Sequence, residues 1–422
     1  MKPFRLDAFV IRGGKRLRGT VRVSGSKNSA LPCLFAAILS DEESVIENVP
    51  DLKDIRTAVA LLGRLGRKAH FEDGRVVVKA GGRLKPEAPY DLVSRMRASV
   101  VVLGPILARL KKARVSLPGG CAIGARPVNY HLSVFRRMGA EVSVSEGYIH
   151  AKVKTWRAGR VRLDFPSVGA TENALMAAVL VPGRTVLTNA AREPEIPALA
   201  DCLRTMGAKI FGDGTSTIEV EGMERLSGAR YRVVADRIEA GTFLTAAAIT
   251  RGSVLLKDAP VDHMASTIDL FRKAGMDVRE TPDGLLARWK RPLKPVSVKT
   301  EIFPGFPTDM QAQWMVLMSI TPGRCRITED IFENRFLHAQ ELLRMGARID
   351  IKGNTASVEG VKQLSGCPLM VSDLRAGAAL VLAGLAAKGE TKVLRVYHLD
   401  RGYESMEKKL RALGADIRRV AV

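Results

Sequence analysis

Aromatic side chains make up only 5 % of this 422-residue chain, too few to build the stacking platforms that hold single-stranded nucleic acid. Cysteine is scarce too. The five thiols, Cys33, Cys121, Cys202, Cys325 and Cys367, are an odd number, widely spaced, with no C-x-x-C pair. That argues against a disulfide framework or a zinc knuckle and fits a reducing, cytoplasmic setting. Long apolar runs are missing as well. The longest, 98–108 and 376–387, fall short of the ~20 residues that a membrane-spanning helix needs. Met1-Lys2-Pro3-Phe4-Arg5 has no apolar h-region, so no secretory signal is read there. Acidic residues are outnumbered, 44 against 66 Lys and Arg, for a net charge of +22. Such an excess points to an anionic partner. The cations are nevertheless scattered rather than blocked, and most read as solvated surface. What is present is ordinary globular material, 46 % hydrophobic and 26 % charged, enough for two or three domains.

Internal self-similarity organises the chain. A helical pattern ending in an apolar residue and glycine recurs as Leu65-Gly66, Met138-Gly139, Met206-Gly207, Ala274-Gly275, Met345-Gly346 and Leu413-Gly414. The marks fall roughly every 70 residues, too regularly for coincident helix ends. Each unit opens with a short helix that is apolar nearly all round: 30–39, 98–107, 174–181, 242–249, 310–320 and 376–387. Helices without a polar face belong inside a domain. A strand-like run follows, as at 44–46 and 185–187. Then comes an amphipathic helix, as at 53–65 and 196–206, that stops at the marker glycine. A hairpin closes the unit, as at 68–79 with Asp73-Gly74 at its turn. The unit is βαβαββ and the class α/β. The sixth unit ends early, whereas 4–11 is a spare strand, so the N-terminal strand is expected to complete the last unit. Three units per domain follow: 27–234 as one, and 1–26 plus 235–422 as the other. Two chain crossings between them would permit hinge closure over a ligand.

Chemistry-bearing residues collect just before the internal helices, where unsatisfied N–H groups attract anions. They include Lys27-Asn28, Arg97, Ser167-Val168-Gly169, Thr308-Asp309 and Asp373-Leu374-Arg375. Arg126, Arg335 and Arg401 lie on loops after the second strands. Such a set of cations suits a small, multiply charged anion, because arginine grips phosphate and carboxylate bidentately. Taken singly, each also reads as a surface ion pair. Asp309 is the odd member: a general base for a substrate hydroxyl, or else a helix cap or an arginine's partner. Cys121 sits among Gly119, Gly120 and Gly124, five residues before Arg126. Nearby positive charge favours thiolate, although on the loop alone an idle cysteine is the favoured reading.

These motifs carry a family resemblance. Gly25-Ser26-Lys27-Asn28, Met96-Arg97-Ala98-Ser99, Leu117-Pro118-Gly119-Gly120-Cys121 and Gly124-Ala125-Arg126-Pro127-Val128 belong to it. So do Ser167-Val168-Gly169-Ala170-Thr171, Pro307-Thr308-Asp309-Met310, Phe332-Glu333-Asn334-Arg335, Asp373-Leu374-Arg375-Ala376 and Asp400-Arg401-Gly402-Tyr403. Essentially end to end, the chain resembles the UDP-N-acetylglucosamine 1-carboxyvinyltransferases, which are enolpyruvyl transferases. The resemblance implies a two-domain inside-out αβ barrel of six repeats. It implies transfer of the enolpyruvyl group of phosphoenolpyruvate to the 3′-hydroxyl of UDP-N-acetylglucosamine, releasing phosphate, as the first committed step of peptidoglycan precursor synthesis. It calls for neither metal nor organic cofactor, and for no membrane insertion or specific nucleic acid.

The resemblance also implies roles. Cys121 would donate a proton to the enolpyruvyl methylene and be the target of the epoxide fosfomycin, and Asp309 would take the hydroxyl proton. Lys27, Arg126 and Arg401 would surround the phosphate, with Lys27 and Arg401 counted as catalytic. Arg335 and Arg375 would lie near the carboxylate, with Asn28 also contacting phosphoenolpyruvate. The UDP-sugar would meet Asn28, Arg97 and the run Arg126, Pro127, Val128, Asn129 and Tyr130. It would also meet Phe165, Pro166, Ser167, Val168 and Gly169, together with Asp309 and Ile331. Asn129-Tyr130-His131 departs from the Asp-Leu-His common in that family, which removes a carboxylate from the nucleotide contact. Two other readings stand beside this one: the sister 3-phosphoshikimate 1-carboxyvinyltransferase, and a non-catalytic relative that binds polyanions.

Overall fold

A computed structural model describes residues 7–119 and 128–422. Within them lie six four-stranded sheets built to one plan. In one, Gly159–Arg162 pairs parallel with Arg184–Thr188, which pairs antiparallel with Thr217–Glu221, and Lys209–Phe211 forms the edge. A parallel pair needs a crossover, and the apolar helix Val168–Ala178 supplies it, buried at every position from Ala170 onward. The amphipathic helix Glu195–Thr205 then leads into the hairpin, with Ile196, Leu199 and Leu203 inward.

The chain divides into two compact units. One comprises the described residues from Gly25 to Val234; the other comprises Ala235–Val422 with the chain up to Ser24. Each has its own apolar core. In the second unit, inner helices Arg237–Ile249, Gln311–Ser319 and Leu374–Ala386 pack on one another. Trp314 is fully buried there, edge-on to Phe271 at 5.2 Å, and its indole N–H donates to the Val296 carbonyl at 3.1 Å. In the first unit, inner helix Leu103–Leu110 packs on Val168–Ala178, and Lys27–Ala36 is the third inner helix. Helices inside and sheets outside is the inverse of an ordinary αβ barrel, and each sheet stays separate and four-stranded.

Four inner helices start at a side-chain cap. Ser26 and Ser167 each accept from the backbone N–H three residues on, at 3.3 and 3.4 Å. Asp236 and Asp373 each accept two such N–H groups at 2.8–3.1 Å. The other two differ from the sequence expectation, entering through 3₁₀ turns, Arg97–Val102 and Thr308–Met310. Pro105 is the reason in the first. Its missing N–H is best tolerated in a helix's first turn, which is where Pro105 falls when the α-helix begins at Leu103.

All six marker glycines have φ between +89° and +103°, the left-handed conformation that ends a helix and that other residues adopt at a cost. The hairpin at Asp73-Gly74 turns with φ of +46° and +73°, matching the type I′ geometry that suits strand twist.

The repeats are not contiguous at the crossings. Arg18–Arg22 precedes helix Lys27–Ala36 in sequence, yet it pairs with Ser253–Lys257. Arg230–Arg232 precedes helix Arg237–Ile249, yet it pairs with Ser44–Glu47. Asp7–Arg12 lies between Glu390–Leu394 and Asp416–Ala421, antiparallel to both.

Candidate active site

In the unit of Ala235–Val422, Asp309 stands on the 3₁₀ turn that opens helix Gln311–Ser319. It caps nothing. Its Oδ1 accepts from Arg335 Nη2 at 2.8 Å and its Oδ2 from Arg375 Nε at 3.0 Å. Both arginine side chains are 5 % exposed, against 28 % for Asp309. Burial works to raise this carboxyl's pKa, but the guanidinium groups of Arg375, Arg335 and Arg237 outweigh it and hold it well below the usual carboxylate range. Asp309 is therefore an anion here, and a weak base.

Supporting contacts fix the two arginines. Arg375 lies in the first turn of a helix whose cap, Asp373, accepts its backbone N–H. Its guanidinium packs 5.3 Å from the ring centre of Tyr403, while its Nη1 is buried and makes no hydrogen bond among the described residues. The Tyr403 hydroxyl shares a hydrogen bond with Thr242 at 2.9 Å and accepts from Gln313 at 3.3 Å. Arg335 packs against Phe332 at 5.4 Å. The buried Glu329 joins the Arg335 loop to the Asp309 turn. Its Oε1 accepts from the N–H groups of Ile331 and Phe332, and its Oε2 accepts from the Thr308 hydroxyl. Behind Arg335, burial holds the His338 imidazole down to about 4, so it is neutral at ordinary pH. Arg401 ends the turn Val396–Arg401. Its neighbour Asp400 is gripped by two nitrogens of Arg419 at 2.6 and 3.1 Å, and Arg419 also reaches Asp7 and Glu407.

In the unit from Gly25 to Val234, Lys27 is the first residue of its helix, and its Nζ lies 3.2 Å from Asp54, with both side chains largely buried. Asn28 is exposed beside it, and Arg97 opens its 3₁₀ turn half-buried. Ser167, Val168 and Gly169 form the capped start of their helix. Gly169 leaves room for its neighbour, since a Cβ there would stand 3.0 Å from the His131 ring. Asn173 ties three helices together. Its amide donates to His131 Nδ1 at 2.7 Å and to the Val100 carbonyl at 3.1 Å, while its oxygen accepts from Gly104 N–H at 2.7 Å. Tyr130 stacks on Phe165 with ring centres 5.6 Å apart. The structure thus brings Tyr130 onto Phe165, at the start of the 165–169 turn. Ile331 is half-buried beside Glu329. Cys121, Arg126 and Pro127 lie outside the described residues.

Sequence reasoning passed over Asp54, Asn173, Glu329 and Arg419. Each is a polar residue whose partner is distant in sequence, so no local pattern marks it. Tyr403 had a signal, lying two residues after Arg401 in a quoted motif.

Comparison with known proteins gives consistent findings. The family described as EPSP synthase (3-phosphoshikimate 1-carboxyvinyltransferase) matches residues 11–410. The chain is similar to the UDP-N-acetylglucosamine 1-carboxyvinyltransferase of Endomicrobium trichonymphae, 55 % identical over 98 % of this chain and 99 % of that one. It is similar to that of Oleidesulfovibrio alaskensis as well, 54 % identical over 98 % and 100 %. Among solved structures, the enolpyruvyl transferase NikO from Streptomyces tendae superposes with a TM-score of 0.88 at 27 % identity, over 99 % of this chain and 100 % of that one. EPSP synthase from Acinetobacter baumannii shares the fold, with a TM-score of 0.77 at 17 % identity over 98 % and 100 %.

Proposed function

This chain belongs to the EPSP synthase family of enolpyruvyl transferases, and we propose that it transfers the enolpyruvyl group of phosphoenolpyruvate to the 3′-hydroxyl of UDP-N-acetylglucosamine. The buried pair Arg335 and Arg375 carries this reading, since two desolvated guanidinium groups suit a carboxylate-bearing substrate. Identity of 54–55 % to relatives named for the UDP-sugar, against 17 % to EPSP synthase structures, favours the UDP-sugar as acceptor.

The reaction balances without a redox partner. A proton adds to the methylene carbon, and positive character develops at the neighbouring carbon. The sugar 3′-oxygen bonds there as its own proton passes to a base, giving a tetrahedral intermediate. That intermediate then loses a methyl proton and expels phosphate, which restores the double bond. Cys121 is the proposed acid and Asp309 the proposed base. Lys27, Arg126 and Arg401 take the phosphate, with Asn28 beside them, and Arg335 and Arg375 take the carboxylate. Fixed cations around charge that develops in the transition state are the largest expected contribution to rate. The nucleotide sugar is assigned to Arg97, the 126–130 run, the 165–169 turn and Ile331, with Tyr130 and Phe165 offering a stacked apolar surface.

In this reading the protein acts at the first committed step of peptidoglycan precursor synthesis, in the cytoplasm, and Cys121 is the atom fosfomycin alkylates. Among the described residues no helix is long and apolar enough to cross a membrane, and Cys33, Cys202, Cys325 and Cys367 are free thiols. The test is inorganic phosphate release from phosphoenolpyruvate with UDP-N-acetylglucosamine, with shikimate 3-phosphate, or with no acceptor. Release is expected with the UDP-sugar alone. Release with shikimate 3-phosphate would assign the sister activity, and release with neither acceptor would refute both.

A further inference from the structure

Asp309 and the substrate carboxylate are assigned to the same two arginines. As a base, Asp309 needs enough proton affinity to take a proton. In the structure both of its oxygens accept from a guanidinium, one from Arg335 at 2.8 Å and the other from Arg375 at 3.0 Å, and these cations oppose protonation. We propose that Asp309 is an internal stand-in for the substrate carboxylate, and that phosphoenolpyruvate takes over Arg335 and Arg375 and thereby frees Asp309 to act as the base. The inference rests on the function proposed above and adds to it a way of switching the base on.

Three features of the geometry support the exchange. The carboxylate is the more accessible partner, 28 % exposed against 5 % for each arginine, so an entering anion meets Asp309 before it meets the arginines. Arg375 Nη1 is buried and without a hydrogen bond among the described residues. It is a spare donor beside the pair that a bound carboxylate could use once Asp309 has moved aside, and unmet donors of this kind are costly unless a ligand uses them. The arginines, by contrast, are fixed from behind. Arg375 is held by its helix start and Tyr403, and Arg335 by Phe332. Rotation of the Asp309 side chain is thus the smaller movement.

The charges around Asp309 give the sign. Arg375, Arg335 and Arg237 favour its ionised form. Other ionisable groups nearby include Asp236 and Tyr403, which act on Arg375, Asp373, which caps the Arg375 helix, His338, on which Arg335 acts, and Glu329, bonded to Thr308. Once the arginines turn to a substrate, Asp309 faces the substrate's negative charge instead, and its proton affinity rises. Protonation then becomes possible only when there is a substrate to react.

The test uses whole protein labelled with ¹³C in the aspartate carboxyls, with the Asp309 resonance identified by its loss in Asp309→Asn. It is titrated from about pH 4 to pH 8, the range in which a released carboxyl facing negative charge should respond. Without ligand, Asp309 should show no titration in this window. With saturating phosphoenolpyruvate it should titrate within it. Asp309→Asn should also bind phosphoenolpyruvate about tenfold more tightly, because no internal competitor has to be displaced. If phosphoenolpyruvate saturates the protein while Asp309 stays flat, the anion is using spare donors and the exchange is wrong, though the assigned reaction survives. Weaker binding by Asp309→Asn would overturn the exchange too. Failure of phosphoenolpyruvate to bind at all would remove the proposed function itself.

Discussion

Arg375 bonds Asp309 through Nε, packs against the Tyr403 ring and keeps Nη1 for another acceptor. A lysine has one compact charge and cannot do all three. Arg375→Lys should therefore raise KM for phosphoenolpyruvate by roughly 10- to 100-fold, equivalent to losing about 1.5–3 kcal/mol of charged hydrogen bonding, while KM for UDP-N-acetylglucosamine changes little. Steady-state kinetics with each substrate varied in turn would check this. An equal rise in both constants would show a disturbed fold rather than a lost contact. At this scale the sequence marks which residues matter but not how they pair. Asp309, Arg335 and Arg375 stand out by residue type and by their place before or beside an inner helix. Their mutual ion pairs span 26 and 66 positions along the chain, and nothing local encodes such a partnership. Glu329 is invisible for the same reason. It reads as one more acid at a strand end, although it joins two loops of the site.

Outer helices end where their glycines require it. At Gly207 φ is +96°, and nothing lies within 4 Å of where a Cβ would stand. The cost of Gly207→Ala is thus conformational alone, about 1–2 kcal/mol. In thermal unfolding the unit from Gly25 to Val234 should melt a few degrees lower, with activity at 25 °C unchanged. An unchanged Tm would mean that the helix end relaxes into another conformation. Outer helices and hairpins are the legible elements, because period, glycine and turn residues agree there. Entries to the inner helices are less so. A helix apolar all round has no periodic face to fix its first residue. Whether it starts at a cap, as at Ser167, or through a 3₁₀ turn, as at Thr308–Met310, depends on tertiary contacts.

The sixfold repeat sets the plan of the whole molecule, and it could be read from six glycines because each unit must end its outer helix in the same way. Strand partners at the crossings could not be read so. Arg18–Arg22 and Arg230–Arg232 carry no pattern that chooses one sheet over another, and both pair away from the helix that follows them. Chain closure is set by pairing of the two terminal strands, Asp7–Arg12 and Asp416–Ala421, and Arg419 links that pairing to Asp400, next to Arg401. The end of the chain thus supports one of the proposed phosphate ligands.

The central claim is that a carbon–oxygen bond forms between the enolpyruvyl group and the UDP-sugar. Mass spectrometry of UDP-N-acetylglucosamine incubated with the protein and phosphoenolpyruvate tests it most directly. The account predicts a product in which one hydroxyl hydrogen is replaced by an enolpyruvyl group, formed in step with phosphate. An unmodified nucleotide sugar, with phosphoenolpyruvate intact or merely hydrolysed, would contradict it.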